Sequence, residues 1–198
     1  MTTDRPALTI VIINGSVRPG NYTSMASALV ADELRKDPGV HVEVIDPVPA
    51  ELAQPGTAGT EAAARLAGAI ASAAGVVLAT PEYHGSFSSV MKLALENMGF
   101  PSALKGKPVA LLGVAAGRIG AIKSLEHLRS VCAHVGAYPL PMLVSVANVQ
   151  QVFAPDGRCL DEPTERFIRS TGSSLMNYLQ RHVCPAFELE RVLRDGIV

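Results

Sequence analysis

Leu8–Ile13 is an apolar, β-branched run that breaks directly into Asn14-Gly15-Ser16-Val17-Arg18-Pro19-Gly20-Asn21-Tyr22-Thr23-Ser24. A near-continuous apolar run without alternation marks a strand covered on both faces, which is the environment of a parallel sheet flanked by helices. A glycine turn into a helical pattern then places hydroxyl and amide side chains and one arginine at a helix start. Backbone N–H groups there favour an anion, and hydroxyl donors with a fixed cation add charge-assisted hydrogen bonds. The segment reads as a cradle for a terminal phosphate.

The rest of the chain repeats the same theme. Thr23–Lys36 carries Ala26, Leu29, Val30 and Leu34 at helical spacing and stops at Asp37-Pro38-Gly39. Val40–Ile45 alternates, as a half-covered edge strand does, with Val40, Val42 and Val44 on its apolar side. After a Pro/Gly/Ala-rich surface excursion over 46–60, Thr60 and Glu61 open a second helix through Ala74. Strands follow at Gly75–Thr80, Pro108–Ala115 and Ala137–Leu143, and helices at Ser86–Met98, Ile119–Val135 and Glu162–His182. Strands alternating with helices predict right-handed crossovers and a three-layer α/β fold. Five parallel strands in the order 2-1-3-4-5, numbered along the chain, fit this length. The expectation is one domain over 1–182 and a tail, 183–198, that either packs on a partner subunit or moves.

Bulk properties exclude several classes. With 198 residues and 48% hydrophobic content the chain can bury a full core. A formal charge of −1 with no basic run argues against binding nucleic acid or a membrane surface. Met1–Leu8 has no hydrophobic signal core, and no stretch reaches membrane-spanning length. Cys132, Cys159 and Cys184 are odd in number and widely spaced, so neither a disulfide framework nor a zinc site is expected. Reduced thiols of this kind point to the cytoplasm.

Ligands of such sheets bind beyond the carboxyl ends of the strands, at the switch point between strands 1 and 3. Beside the phosphate-like loop lies Thr80-Pro81-Glu82-Tyr83-His84-Gly85-Ser86-Phe87-Ser88, and next to it Ala115-Ala116-Gly117-Arg118-Ile119-Gly120. The first loop lacks the glycine spacing of a dinucleotide fingerprint, and no GK[ST] follows for a Walker loop. A mononucleotide held by its phosphate fits better. Pro81, Tyr83 and Gly85 offer a flat heteroaromatic ring an open backbone, a packing surface and main-chain donors. Gly117 and Gly120 allow approach from the far side.

Gly-Ser-x-Arg near the N-terminus, Thr-Pro-Glu-Tyr-x-Gly-Ser before the third helix and the glycine loop after the fourth strand resemble the NADPH-dependent FMN reductase family over roughly residues 8–180. The resemblance implies a flavodoxin-like fold, FMN, and NADPH or NADH as hydride donor. It implies that Ser16, Arg18, Asn21, Thr23 and Ser24 hold the FMN phosphate. Pro81, Glu82, Tyr83, His84 and Gly85 would line the ribityl chain and isoalloxazine edge, with Gly117 and Arg118 at the pyrimidine side. Arg118 is also a candidate contact for the 2′-phosphate of NADPH. Homodimers or homotetramers are implied, with the third and fourth helices as interface elements.

The chain departs from that pattern at His84, where many members have asparagine, at Met91-Lys92-Leu93 instead of Leu-Lys-Asn, and at Gly120-Ala121 instead of a double glycine. His84 either substitutes for the amide as a neutral ring or donates a proton. No GxSxG elbow or triad is present. The expected activity is electron transfer from NADPH or NADH through FMN to a small-molecule acceptor: free flavin, a quinone, an azo compound or an oxidised metal species. The alternatives are a non-enzymatic flavodoxin-like carrier and a mononucleotide-binding regulatory domain.

Overall fold

The computed structural model describes residues 8–195; Met1–Ala7, on which the signal-core reading mostly rests, and the last three residues of the tail lie outside them. Strands β1 (Leu8–Asn14), β2 (Val40–Ile45), β3 (Gly75–Tyr83), β5 (Pro108–Val114) and β6 (Tyr138–Val146) form a parallel sheet, while β4 (Ser86–Phe87) folds back antiparallel on β3. The sheet order is β2-β1-β3-β5-β6. Leaving aside the short β4, this is the expected order.

Alternate side chains of β1 explain its unbroken apolar run. Ile10 and Ile12 enter one core with Val30 and Leu34 of α1 (Tyr22–Leu34) and with Ile168 and Leu175 of α5 (Glu162–Tyr178). Val11 and Ile13 enter the other, with Leu66 and Ile70 of α2 (Glu61–Ser72), Met91 of α3 (Ser89–Glu96) and Leu125 and Leu128 of α4 (Ile122–His134). All four β1 side chains are fully buried. Each contributes about 1.5–3 kcal/mol of transfer free energy. At the edge, β2 is covered less evenly than expected: Val42 is buried, but Val44 is exposed.

Helix starts follow their caps. Asn21, Thr60, Ser88 and Asp161 each accept a backbone N–H three residues on. Ser88 explains why α3 begins at Ser89 and not at Ser86: Ser86 and Phe87 pair with Tyr83 and Glu82. Likewise α4 begins at Ile122 and not at Ile119, because Gly120 sits at φ +78°. A Cβ there would also lie 2.5 Å from Ser145 Oγ. The last strand starts one residue later than expected and runs three further, with a register shift between Val109 and Leu111; Pro139 and Pro141 are tolerated because β6 is an edge strand. Beyond α5 a π turn (Leu179–Val183) leads into α6 (Cys184–Asp195), so the described part of the tail is helical. No helix among the described residues is long and apolar enough to cross a membrane.

Candidate functional site

The two loops singled out in the sequence meet at the carboxyl edge of the sheet. Asn14 lies in register with Ala79, and Gly15 N–H donates to Ala79 O at 2.7 Å. A Cβ on Gly15 would stand 3.0 Å from that same carbonyl and from Ser88 Oγ, so this approach needs glycine. Ser88 holds both loops at once: its Oγ donates to Gly15 O at 2.5 Å and accepts the N–H of Met91 at 3.0 Å. Beneath them Asn14, buried, donates to Asp46 and accepts from Ser27.

Between the loops lies a cavity of about 380 Å³, within the range of cofactor sites. One wall is Ser16 and Arg18–Thr23, a second is Pro81–Tyr83, and a third is Val114–Ala116 with Val149. At the first wall the Ser16 hydroxyl is buried with no hydrogen-bond partner among the described residues. A buried hydroxyl left unpaired costs free energy, so the position calls for a polar ligand atom. Asn21 caps α1, accepting from Ser24 N at 2.8 Å while donating to Arg18 O at 2.7 Å, which ties the arginine segment to the helix start. The Tyr22 and Thr23 N–H groups in that first turn have no intrahelical acceptor. No acidic residue occupies the turn, and its positive end faces the cavity uncancelled.

The second wall is a hairpin and not an open loop. His84 (φ +51°) and Gly85 (φ +75°) are its two central residues, and Glu82 and Tyr83 pair with Phe87 and Ser86. Positive φ at both positions makes a type I′ turn, whose twist suits the flanking strands and whose preferred sequence is Asn-Gly. His84 adopts that conformation here, at the position where the family resemblance leads to an expectation of asparagine. Pro81 is buried in the sheet, in register with Val114, instead of propping a loop open. Glu82 reaches across to α4: its Oε2 accepts the N–H of Ser124 at 3.1 Å.

Across residues 8–151 the sequence matches the profile of the NADPH-dependent FMN reductases. The chain belongs to this family. An NAD(P)H-dependent FMN reductase of Pseudomonas aeruginosa is 30% identical over 175 residues, covering 85% of this chain and 94% of that protein. An NADPH azoreductase of a Bacillus species is 32% identical over 170 residues, covering 86% and 92%. Among solved structures, the NAD(P)H:(acceptor) oxidoreductase FerB of Paracoccus denitrificans superposes with a TM-score of 0.72 at 24% identity, covering 88% of this chain and 98% of that one. As an FMN reductase family member the chain is a flavin-dependent oxidoreductase using FMN with NADPH or NADH.

The cavity fits FMN on its own terms. An anion-seeking helix end and an orphaned hydroxyl stand at one end, and largely apolar walls at the other. Of the family-derived residues, the structure brings Ser16, Arg18, Asn21, Thr23, Pro81, Glu82 and Tyr83 to one cavity. Ser24 lies outside it, on an adjoining groove shared with Asp46–Val48. His84 and Gly85 form the hairpin tip, and Gly117 and Arg118 are exposed beside the third wall; none of the four lines the cavity. A Cβ on Gly117 would meet nothing within 4 Å, leaving open space there, whereas Gly120 is the glycine the backbone requires.

Sequence reasoning missed Tyr22, Val114 and Val149. Val114 ends a strand beside the switch point, a signal that was available. Val149 belongs to a 3-10 turn (Val149–Gln151) after β6, entered through Asn148 at φ +47°. Nothing in its sequence marks it. Groups whose protonation the fold shifts stand apart from this chemistry: burial pushes the Cys132 thiol up to about 12, and burial lowers Lys107, whose ammonium caps the α2 end at Ala71 O and Ala73 O.

Proposed function

We propose that the chain passes two electrons from NADPH or NADH, by way of FMN in this cavity, to a small-molecule acceptor such as free flavin, a quinone or an azo compound. The observation that carries this is the unpartnered Ser16 hydroxyl, buried in the β1–α1 loop that forms one wall of a cavity whose other walls are the hairpin and the Val114–Ala116 segment. Ser16, Arg18, Asn21, Thr23 and the α1 N–H groups hold the phosphate. Pro81, Glu82 and Tyr83, with Ala115 and Ala116, flank the ring; His84, Gly85, Gly117 and Arg118 form its outer rim. Ser24 serves by its N–H, fixing Asn21.

Each hydrogen bond to the phosphate is worth about 1.5–3 kcal/mol. Three or four approach the roughly 8 kcal/mol of micromolar binding, and the apolar walls offset the entropy cost of association. FMN, when bound, would supply the hydride-transfer redox chemistry between nicotinamide and acceptor. The protein's part is to bind, orient and exclude water, which needs no acid–base triad. A charge of −1 disfavours a carrier that docks basic partners. The enzyme works in the cytoplasm as a homodimer or homotetramer.

The test is an absorbance spectrum of purified protein with FMN, followed by anaerobic NADPH. Bleaching of bound flavin at a catalytic rate supports the reading; bound flavin that stays oxidised refutes it.

A further inference from the structure

Helix α4 starts without a cap of its own. Its N-cap residue, Ala121, has no side-chain oxygen, and the Ala121 N–H donates instead to Ser145 Oγ of β6 at 2.8 Å. Two strands away, Glu82 Oε2 takes the N–H of Ser124, the third residue of the helix, at 3.1 Å. That donor is the one an N-cap serine or aspartate ordinarily satisfies. Ser124 is fully buried, and its hydroxyl turns back to Ala121 O at 2.8 Å, so within the helix start its own side chain does not serve this N–H.

We propose that Glu82 is a positioning residue, a cap supplied from the hairpin that fixes the α4 N-terminus and with it the Ala115–Gly120 segment, of which Ala115 and Ala116 line the cavity. The chain between them allows it: Gly120, immediately before the helix, is held at φ +78° against Ser145, and Gly117 O accepts the N–H groups of Gly120 and Asn148. Movement of the helix start is therefore transmitted to Ala115 and Ala116, which line the cavity. The carboxylate also neutralises the positive end of α4. Of the helix starts, that of α1 lines the cavity and carries no acidic residue in its first turn, which favours a ligand with its phosphate toward that end.

The ligand arm of this inference rests on FMN occupying the cavity; the capping arm does not. Amide exchange over residues 117–125 in FMN-free protein tests the cap, comparing wild type with Glu82→Ala and Glu82→Gln. Faster exchange confined to that segment in Glu82→Ala, largely restored in Glu82→Gln, is expected, since an amide oxygen still accepts the N–H. Unchanged exchange in Glu82→Ala overturns the cap. FMN titration tests the consequence: Glu82→Ala weakens binding about tenfold, on the scale of a lost helix cap, and Glu82→Gln recovers most of it. Leu66→Ala, a core change in α2 away from the cavity, controls for global destabilisation and leaves FMN affinity within about twofold. Equal weakening in Leu66→Ala, or no recovery in Glu82→Gln, overturns the positioning role. If the wild type fails to take up FMN, the proposed function falls while the exchange result still decides the cap.

Discussion

Replacing Ser16 by alanine is expected to act in opposite directions on the empty and the loaded protein. Without ligand the Ser16 hydroxyl is buried and unpaired, a state that costs about 1–3 kcal/mol by comparison with mutational series. Its removal leaves the empty protein more stable by about 1 kcal/mol, a rise of about 2–4 °C in Tm for a domain of this size. In the proposed FMN complex the same hydroxyl donates to a charged phosphate, and losing that bond would cost about 1.5–3 kcal/mol, or roughly ten- to hundredfold in Kd. Ligand stabilisation follows the ratio of concentration to Kd, so the added FMN raises the wild-type Tm more than the variant's. Thermal melts with and without FMN, together with a flavin fluorescence titration, measure both signs. A less stable empty variant shows that the hydroxyl has a partner in the free protein. An unchanged Kd removes Ser16 from the phosphate site.

Arg18 is exposed, so Arg18→Ala should leave the empty protein's melting point in place and weaken FMN about tenfold or more; titration at two salt concentrations checks it. Gly15→Ala forces a Cβ to 3.0 Å from Ala79 O and Ser88 Oγ, and overpacking of about 1–3 kcal/mol should appear in denaturant melts alongside weaker flavin binding. At the hairpin, His84→Asn should match or exceed the wild-type Tm, because asparagine tolerates the left-handed conformation, whereas His84→Val should lose about 1–2 kcal/mol. A Tm fall in His84→Asn would mean the imidazole itself is needed. Burial holds the Cys132 thiol protonated up to about pH 12, so alkylation of native protein at pH 8 should label Cys159 and Cys184 and spare Cys132, which reacts only on unfolding; early labelling of Cys132 contradicts its burial.

The sheet was legible because its strands are buried on both faces: Ile10 to Ile13 and Val76 to Leu78 carry no polar position to confuse the period. The loop proposed to hold the phosphate was legible because glycine, hydroxyl and arginine stand together between strand and helix. Boundaries were harder to read. Nothing local distinguishes Ser86 from Ser88 as a helix cap; the choice depends on whether Phe87 pairs with Glu82, which is a tertiary fact. For the same reason the role of Glu82 was hidden, since its partner lies 42 residues away. A carboxylate in a motif reads as a ligand contact alone until the helix it also caps is seen. His84 was legible as a departure from a family pattern, but the turn that explains the pattern requires two backbone angles.

One hydroxyl, that of Ser88, is shared by the α3 cap and the Gly15 carbonyl, so the two flanks of the cavity are joined before any guest arrives. A nucleotide entering between them would meet loops already tied together in the free protein.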